Sequence, residues 1–225
     1  MTLPMRRLFG RTAALLSLLL AAGCASVPET RFYTLSVPPE PSETKISARD
    51  SSIPIFIDVL PVNVPERLAR PQLVVRSGGL GPQAQLFILE QDRWSSPFNY
   101  ELRDAFASGI ASQIGAVNNV RGIRKPDQIS YRIAIELSQF DAIVGDSVQT
   151  GFGWTITRST DGRSIACHAA ITEPIAGGIE GVVAGIQRVV ASVVEGVSKN
   201  LIELDSDRVP TCVQRKVGLP SFTDF

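Results

Sequence analysis

Residues 131–171 read YRIAIELSQFDAIVGDSVQTGFGWTITRSTDGRSIACHAAI, and their periodicity decides the fold. Tyr131, Ile133, Ile135 and Leu137 are apolar at odd positions, whereas Phe140, Ala142 and Val144 are apolar at even ones. Side chains of a strand alternate between two faces, so a strand with one buried side must slip by a residue between these sets. A bulge or bend is therefore expected at Ser138-Gln139. Val148, Phe152, Trp154 and Ile156 resume the alternation, Thr160-Asp161-Gly162 has hairpin-turn chemistry, and Ile165, Cys167, Ala169 and Ile171 return along the same face. Cys167 is in phase with the core, and His168 points the other way. Such a block needs a cover over its apolar side.

Residues 178–204 supply one. At 100° per residue, Val182, Val183, Ile186, Val189, Val190, Val193, Val194, Val197, Leu201 and Leu204 fall within an arc of about 140°. Glu180, Gln187, Arg188, Glu195, Lys199 and Glu203 lie outside it, so the spacing predicts a long amphipathic helix on the sheet, with Glu195 and Lys199 placed as an i,i+4 pair. Valine is a modest helix former, and packing has to supply much of the stability. Gly177, Gly181 and Gly185 recur at intervals of four, a spacing used in membrane helix packing, but the flanking charges favour close packing inside a soluble domain. A second helix is expected from Pro97 to about Gly115, with Ser96 as N-cap, Pro97 at the first helical position, and Phe98, Leu102, Ala105, Phe106 and Gly109 facing the core.

Upstream, residues 31–37 (RFYTLSV) and 53–60 (IPIFIDVL) read as strands, the second buried and central, with an exposed loop at 38–52. The stretch 61–77, PVNVPERLARPQLVVRS, carries three prolines around a short charged segment. Proline fixes its own φ and restricts the residue before it, so a rigid connection with one helical turn at 65–69 is expected, followed by a strand at 72–76. The glycine-rich break at 78–82 and the strand at 83–90 suggest a hairpin. Together these readings predict one α/β domain over 31–212, a mixed β-sheet flanked by two main helices, with a C-terminal tail at 213–225.

The first 23 residues have the form of an export signal. They carry Arg6, Arg7 and Arg11, then a mostly apolar run over 12–22, and no acid precedes Glu29. The run is shorter than the roughly 20 residues a membrane span needs. Its small residues lead into Gly23-Cys24, the pattern of a bacterial lipobox, although leucine stands at Leu20, one place from its usual position. Cleavage before Cys24 and acylation of its thiol and amine, with groups such as palmitate, would anchor the chain stably, and residues 24–30 would then be a tether. Ala25 in place of aspartate favours the outer membrane. Roughly 200 residues would remain, enough for one domain with a core. The whole chain has 22 basic and 22 acidic side chains; without the leader arginines it is slightly acidic. No basic block offers a footprint for nucleic acid. Cys167 and Cys212, an even pair in an exported chain, read as a disulfide, the alternative being two separate buried thiols.

Catalytic sets are missing from the sequence. Its one histidine, His168, stands beside Cys167 on a strand and faces away from it, so the two cannot act together. No nucleophile elbow, phosphate loop, zinc-binding helix or dinucleotide fingerprint occurs. Asp141 and Asp146 are too isolated for paired-acid chemistry. Trp154 is in phase with the core, and Trp94 is either a helix-start anchor or a contact for a ligand or partner. No enzyme activity, metal or cofactor is expected.

Several segments together resemble a family. The lipobox, Tyr33-Thr34-Leu35, the run Pro65-Glu66-Arg67-Leu68-Ala69-Arg70-Pro71-Gln72-Leu73-Val74-Val75-Arg76 and Arg93-Trp94 before a helix are similar to the PqiC (YmbA-like) lipoproteins, auxiliary components of MCE-type lipid transport systems. Ser95-Ser96-Pro97-Phe98 departs from that pattern, where a small residue, an acid, proline and leucine are more usual. The resemblance implies a fold like the N-terminal domain of TolB. It also implies an outer-membrane lipoprotein that docks an MCE-domain protein spanning the periplasm from an inner-membrane permease and ATPase. Some members assemble into rings, so a ring of copies is among the implied assemblies. Pro65, Glu66, Arg67, Arg70 and Trp94 are the candidate contact residues, because a stiff exposed loop on a rigid scaffold suits binding. The alternative is a lipoprotein that itself binds a lipid or other small ligand, which would need an apolar cavity between sheet and helix.

Overall fold

A computed structural model describes residues 28–35, 55–77, 84–118 and 128–212. From Arg31 onward the chain is one compact unit, separate from the unit that ends at Thr30. The leader and Cys24, the loop at 38–52, the break at 78–82 and the tail at 213–225 lie outside the described residues. In chain order the elements are β1 (Arg31–Tyr33), β2 (Phe56–Val59), a 3-10 turn (Glu66–Leu68), β3 (Gln72–Ser77), β4 (Gln85–Trp94), α1 (Phe98–Ile114), β5 (Val117–Asn118), β6 (Ser130–Ile143), β7 (Ser147–Arg158), β8 (Ser164–Pro174) and α2 (Ile179–Asp205).

The alternating block forms the meander β6–β7–β8, antiparallel throughout. The register of β6 against β7 shifts between Leu137 and Gln139, so the change of apolar phase is a bulge at Ser138. Gly151 lies opposite it, where a Cβ would stand 2.9 Å from the Ser138 hydroxyl oxygen, so glycine leaves room for that side chain over the bulge. Val144 departs from the expected phase: β6 ends at Ile143, and Val144 sits exposed in the turn to β7.

The other edge of β6 is shared. Its first half pairs in parallel with β2, which carries β5 beyond it, and its far end meets β3 at Arg76↔Ile143. The antiparallel hairpin β3–β4 extends the sheet there, and β1 closes it in parallel with β4. The result is a mixed, open, eight-stranded sheet.

Both helices cover one face and meet each other. A Cβ on Gly109 of α1 would stand 2.9 Å from Val194 of α2, and Phe106 packs edge-to-face on Phe152 of β7. All ten residues of the apolar stripe of α2 are buried. By length and composition α2 would suit a membrane, but here its stripe faces the sheet. Glu203, expected on the outer side, is instead buried: it accepts hydrogen bonds from the Asn200 amide (3.1 Å) and the Thr211 N–H (2.9 Å). Glu195 and Lys199 do not form the expected ion pair. Gly181 and Gly185 pack against Ala176 and Ile175 of the preceding loop, the close-packing role. The far face of the meander, with Ala134, Glu136, Thr155, Ala166, His168 and Ala170, is open to solvent.

Candidate docking surface

After β2 the chain keeps following β6: the Leu60 and Asn63 N–H groups donate to the carbonyls of Ile133 and Ile135, and the Leu137 N–H donates to Asn63. Pro65 has no N–H to continue such a ladder, and its φ of −52° starts the 3-10 turn instead. The Leu68 and Ala69 N–H groups close that turn on Pro65 and Glu66. Leu68 is the peg, only 3% exposed, while Glu66, Arg67 and Ala69 are exposed and Pro65 and Arg70 half-buried.

The turn is clasped on its far side as well. The Pro71 carbonyl accepts the Trp94 N–H (2.6 Å), and the Arg70 carbonyl accepts the Phe98 N–H (3.2 Å). That second bond satisfies a donor every helix start leaves open. It explains why α1 begins one residue later than expected, with Pro97 at the N-cap and no side-chain cap. The Ser96 hydroxyl donates to Glu101 instead.

Of the five candidate contact residues, Trp94 does not belong to the surface. It ends β4, is 3% exposed and stacks on Phe98 with ring centroids 5.2 Å apart. Pairing with β1 carries β4 past Glu90 to Trp94 and turns the indole into the core, so it acts as an anchor beneath the turn. The space under the turn, lined by Leu68, Trp94, Phe98, Phe140, Val182 and Ile186 among others, amounts to about 10 Å³, room for no more than a water molecule. No acyl chain fits it. The surface that remains is Pro65, Glu66, Arg67 and Arg70.

Glu101 was not singled out by sequence reasoning, yet it fastens this corner. Its carboxylate accepts from the Thr34 hydroxyl (3.1 Å), the Leu35 N–H (3.0 Å) and the hydroxyls of Ser95 (2.6 Å) and Ser96 (2.9 Å). Burial pushes its pKa up, but these hydrogen bonds, that of Ser95 foremost, hold it below the usual glutamate range. Beside it, Arg31 bridges Asp92 (2.7 Å) and Glu180 (3.0 Å), and Tyr33 donates to Asp92 (3.1 Å). Burial first, then that bond, raises the Tyr33 pKa.

At the other end of α2, Cys167 and Cys212 are joined in a disulfide with Cα atoms 5.5 Å apart. Nearby, Arg158 holds Asp161 (2.7 Å) and Asp207 (2.8 Å). The hydrogen bond from Arg158 is the main reason the Asp161 carboxyl falls to about 2. Tyr131 donates to Asp205 (2.6 Å). His168 faces solvent on the opposite side from the bonded Cys167, and no metal-binding cluster is found among the described residues. The described side chains thus make a scaffold with a stiff corner.

Residues 33–198 match the family described as ABC-type transport auxiliary lipoprotein component. The chain belongs to that family. The PqiC/YmbA-like resemblance read from its segments is this same family, and its members are lipoproteins that serve a transporter as auxiliary components. Two solved structures are similar in fold. An uncharacterized protein superposes with a TM-score of 0.59 at 17% identity, over 77% of this chain and 99% of its own. Protein XCC0632 from Xanthomonas campestris, assigned to the DUF330 family, gives a TM-score of 0.55 at 17% identity, over 79% of this chain and 98% of its own. No curated protein matches the chain.

Proposed function

We propose that this protein is a non-catalytic lipoprotein of the outer membrane. Cys24 holds it at the periplasmic face, where it docks an MCE-domain protein that reaches across from an inner-membrane permease and ATPase. The observation that carries the reading is the family match over 33–198, to an auxiliary lipoprotein of ABC-type transport. The turn at Glu66–Leu68 supports it: charged groups stand outward on backbone that is already ordered, so a partner has little conformational entropy to remove on binding. A protein that carries lipid between sheet and helix would need a cavity there, and the space beneath the turn is about 10 Å³.

The test is in-cell crosslinking from a photoreactive residue placed at Arg67, followed by mass spectrometry of the attached protein. Recovery of an MCE-domain protein supports the docking role. Recovery of only the protein itself and phospholipid would refute it.

A further inference from the structure

Strand β4 has an uncovered apolar stretch. Leu86, Phe87 and Ile88 are 46%, 44% and 46% exposed, although Val75 and Val74, the β3 partners of Phe87 and Ile88, are buried. The other edge of β4 carries β1 only opposite Asp92, Arg93 and Trp94, so among the described residues no strand covers it at 86–88. Successive side chains of a strand point to opposite faces, so Phe87 lies on one side of the sheet and Leu86 and Ile88 on the other. A folded partner packing on one face would leave the other set in water, whereas an apolar medium around the edge accepts both. Polar residues bound the stretch: Gln85 before it, and Glu90, Gln91 and Asp92 after it.

A second observation is one of direction and reach. β1 runs parallel to β4, with Arg31 opposite Asp92, so its first residue is the one nearer the apolar stretch. Cys24 precedes Arg31 by seven residues, and Gln85 precedes Asp92 by the same number. Seven residues of extended chain reach about 23–25 Å, and β4, which bulges between Leu89 and Arg93, covers less than that from Asp92 back to Gln85. An acyl group on Cys24 can therefore reach the level of Leu86.

We infer that Leu86, Phe87 and Ile88 form a second membrane contact, inserted at the headgroup and acyl boundary of the leaflet that holds the acylated Cys24. The inference rests on the reading of Cys24 as the anchor. Three strand residues cover about 10 Å, comparable to the 5–10 Å that interfacial elements penetrate. Two contacts of this kind would set the domain's orientation, which a single flexible tether does not.

The test uses the full-length lipoprotein carrying Phe87→Trp, reconstituted into phosphatidylethanolamine and phosphatidylglycerol vesicles with and without brominated phosphatidylcholine. Its emission is compared with that of the parent protein, whose two tryptophans are buried. Insertion gives a blue shift on the vesicles and loss of the added emission to the brominated lipid. Vesicle-bound protein whose added tryptophan stays water-exposed would overturn the inference and leave the anchor standing. A blue shift without vesicles that grows with protein concentration would overturn it in favour of pairing with a second copy. Cys24 without acyl mass would remove the anchor reading and the inference together.

Discussion

Replacing Glu101 by alanine tests whether the corner beneath the docking turn is held as described. Glu101 is 6% exposed, and its carboxylate accepts four hydrogen bonds. Three come from hydroxyls, which can rotate to other acceptors or water. The fourth comes from the main-chain N–H of Leu35, a residue 0% exposed, and that donor cannot turn away. A hydrogen bond to a charged group contributes about 1.5–3 kcal/mol, and a stranded buried donor costs about 1–3 kcal/mol. These figures overlap for the Leu35 N–H, so a total near 3 kcal/mol is expected, with the hydroxyls adding little. In a domain of this size that corresponds to a fall in Tm of roughly 6–12 °C. Glu101→Gln keeps the shape and removes the charge, so it should cost less than alanine. Because the folded pKa of Glu101 lies below the unfolded one, its contribution is complete above the unfolded value of about 4.3 and is lost as pH falls through the folded value beneath it. The gap in Tm between the natural protein and Glu101→Gln should therefore be constant from pH 7 to 5 and shrink below pH 4. Thermal melts followed by circular dichroism measure both effects. An alanine variant that loses less than about 1 kcal/mol, below even one such bond, or a gap that holds unchanged to pH 3, would refute the reasoning.

Trp94→Ala should cost about 3–5 kcal/mol as a large core truncation, whereas Arg67→Ala on the exposed turn should stay within about 0.5 kcal/mol and instead weaken partner crosslinking; denaturant titration and crosslink yield separate the two. Cys212→Ser opens a disulfide whose cysteines are 45 residues apart, which the chain-entropy relation values at about 4 kcal/mol, to be read from chemical denaturation with and without reductant. In α2, Gly185→Ala would place a Cβ 2.4 Å from Ile175 and should destabilise by about 1–3 kcal/mol, while Gly196→Ala meets the Trp154 ring at 3.4 Å and should gain up to about 1 kcal/mol of helix propensity. Opposite shifts in Tm for the two glycines would confirm the packing of α2. Cys24→Ser should release the protein from membranes into the soluble periplasmic fraction, seen by fractionation.

What the sequence made legible is what depends on local period. The bulge at Ser138, the valine stripe of α2 and the β3–β4 hairpin all follow from spacing along one segment. The errors share a different cause. Trp94 is the anchor at a helix start that its position suggests, but it is not a surface contact, because β1, which draws it into the sheet, lies some 60 residues earlier. Ser96 has the chemistry of an N-cap, but the Arg70 carbonyl reached the helix end and Glu101 took the hydroxyl. Glu203 falls on the outer side of α2 by helical spacing, and nothing in the spacing singles out Glu101, yet both are buried. Their burial depends on donors that only the fold collects: Thr34 and Leu35 for the first, Thr211 for the second. The one local signal was the run of hydroxyls at Ser95-Ser96 just ahead of Glu101. Hydrogen bonds over long sequence separation leave no period to read.

The two ends of β4 give the functional reading a geometry. One end carries Leu86, Phe87 and Ile88, nearly half exposed; the other ends at Trp94, bonded through its N–H to Pro71 at the close of the docking turn. Because β4 bulges between Leu89 and Arg93, the six to eight residues from this stretch to Trp94 run beside only three to five residues of β3, roughly 10–17 Å. On the proposed reading, the first end lies at the leaflet that holds Cys24, and the strand then carries the Pro65–Arg70 corner away from the bilayer, towards a protein arriving from the other membrane. A lipid tether alone would let the domain tumble, and the turn would face a partner only part of the time. A second contact at the tip removes that freedom before the partner arrives, and affinity is reduced by the fraction of time a binding-competent arrangement is absent. Substituting serine at Leu86 and Ile88, outside the turn, should therefore lower the crosslink yield from Arg67 in membranes while leaving binding of the detergent-solubilised protein unchanged. Equal losses in both settings would mean that the tip acts on the fold rather than on orientation.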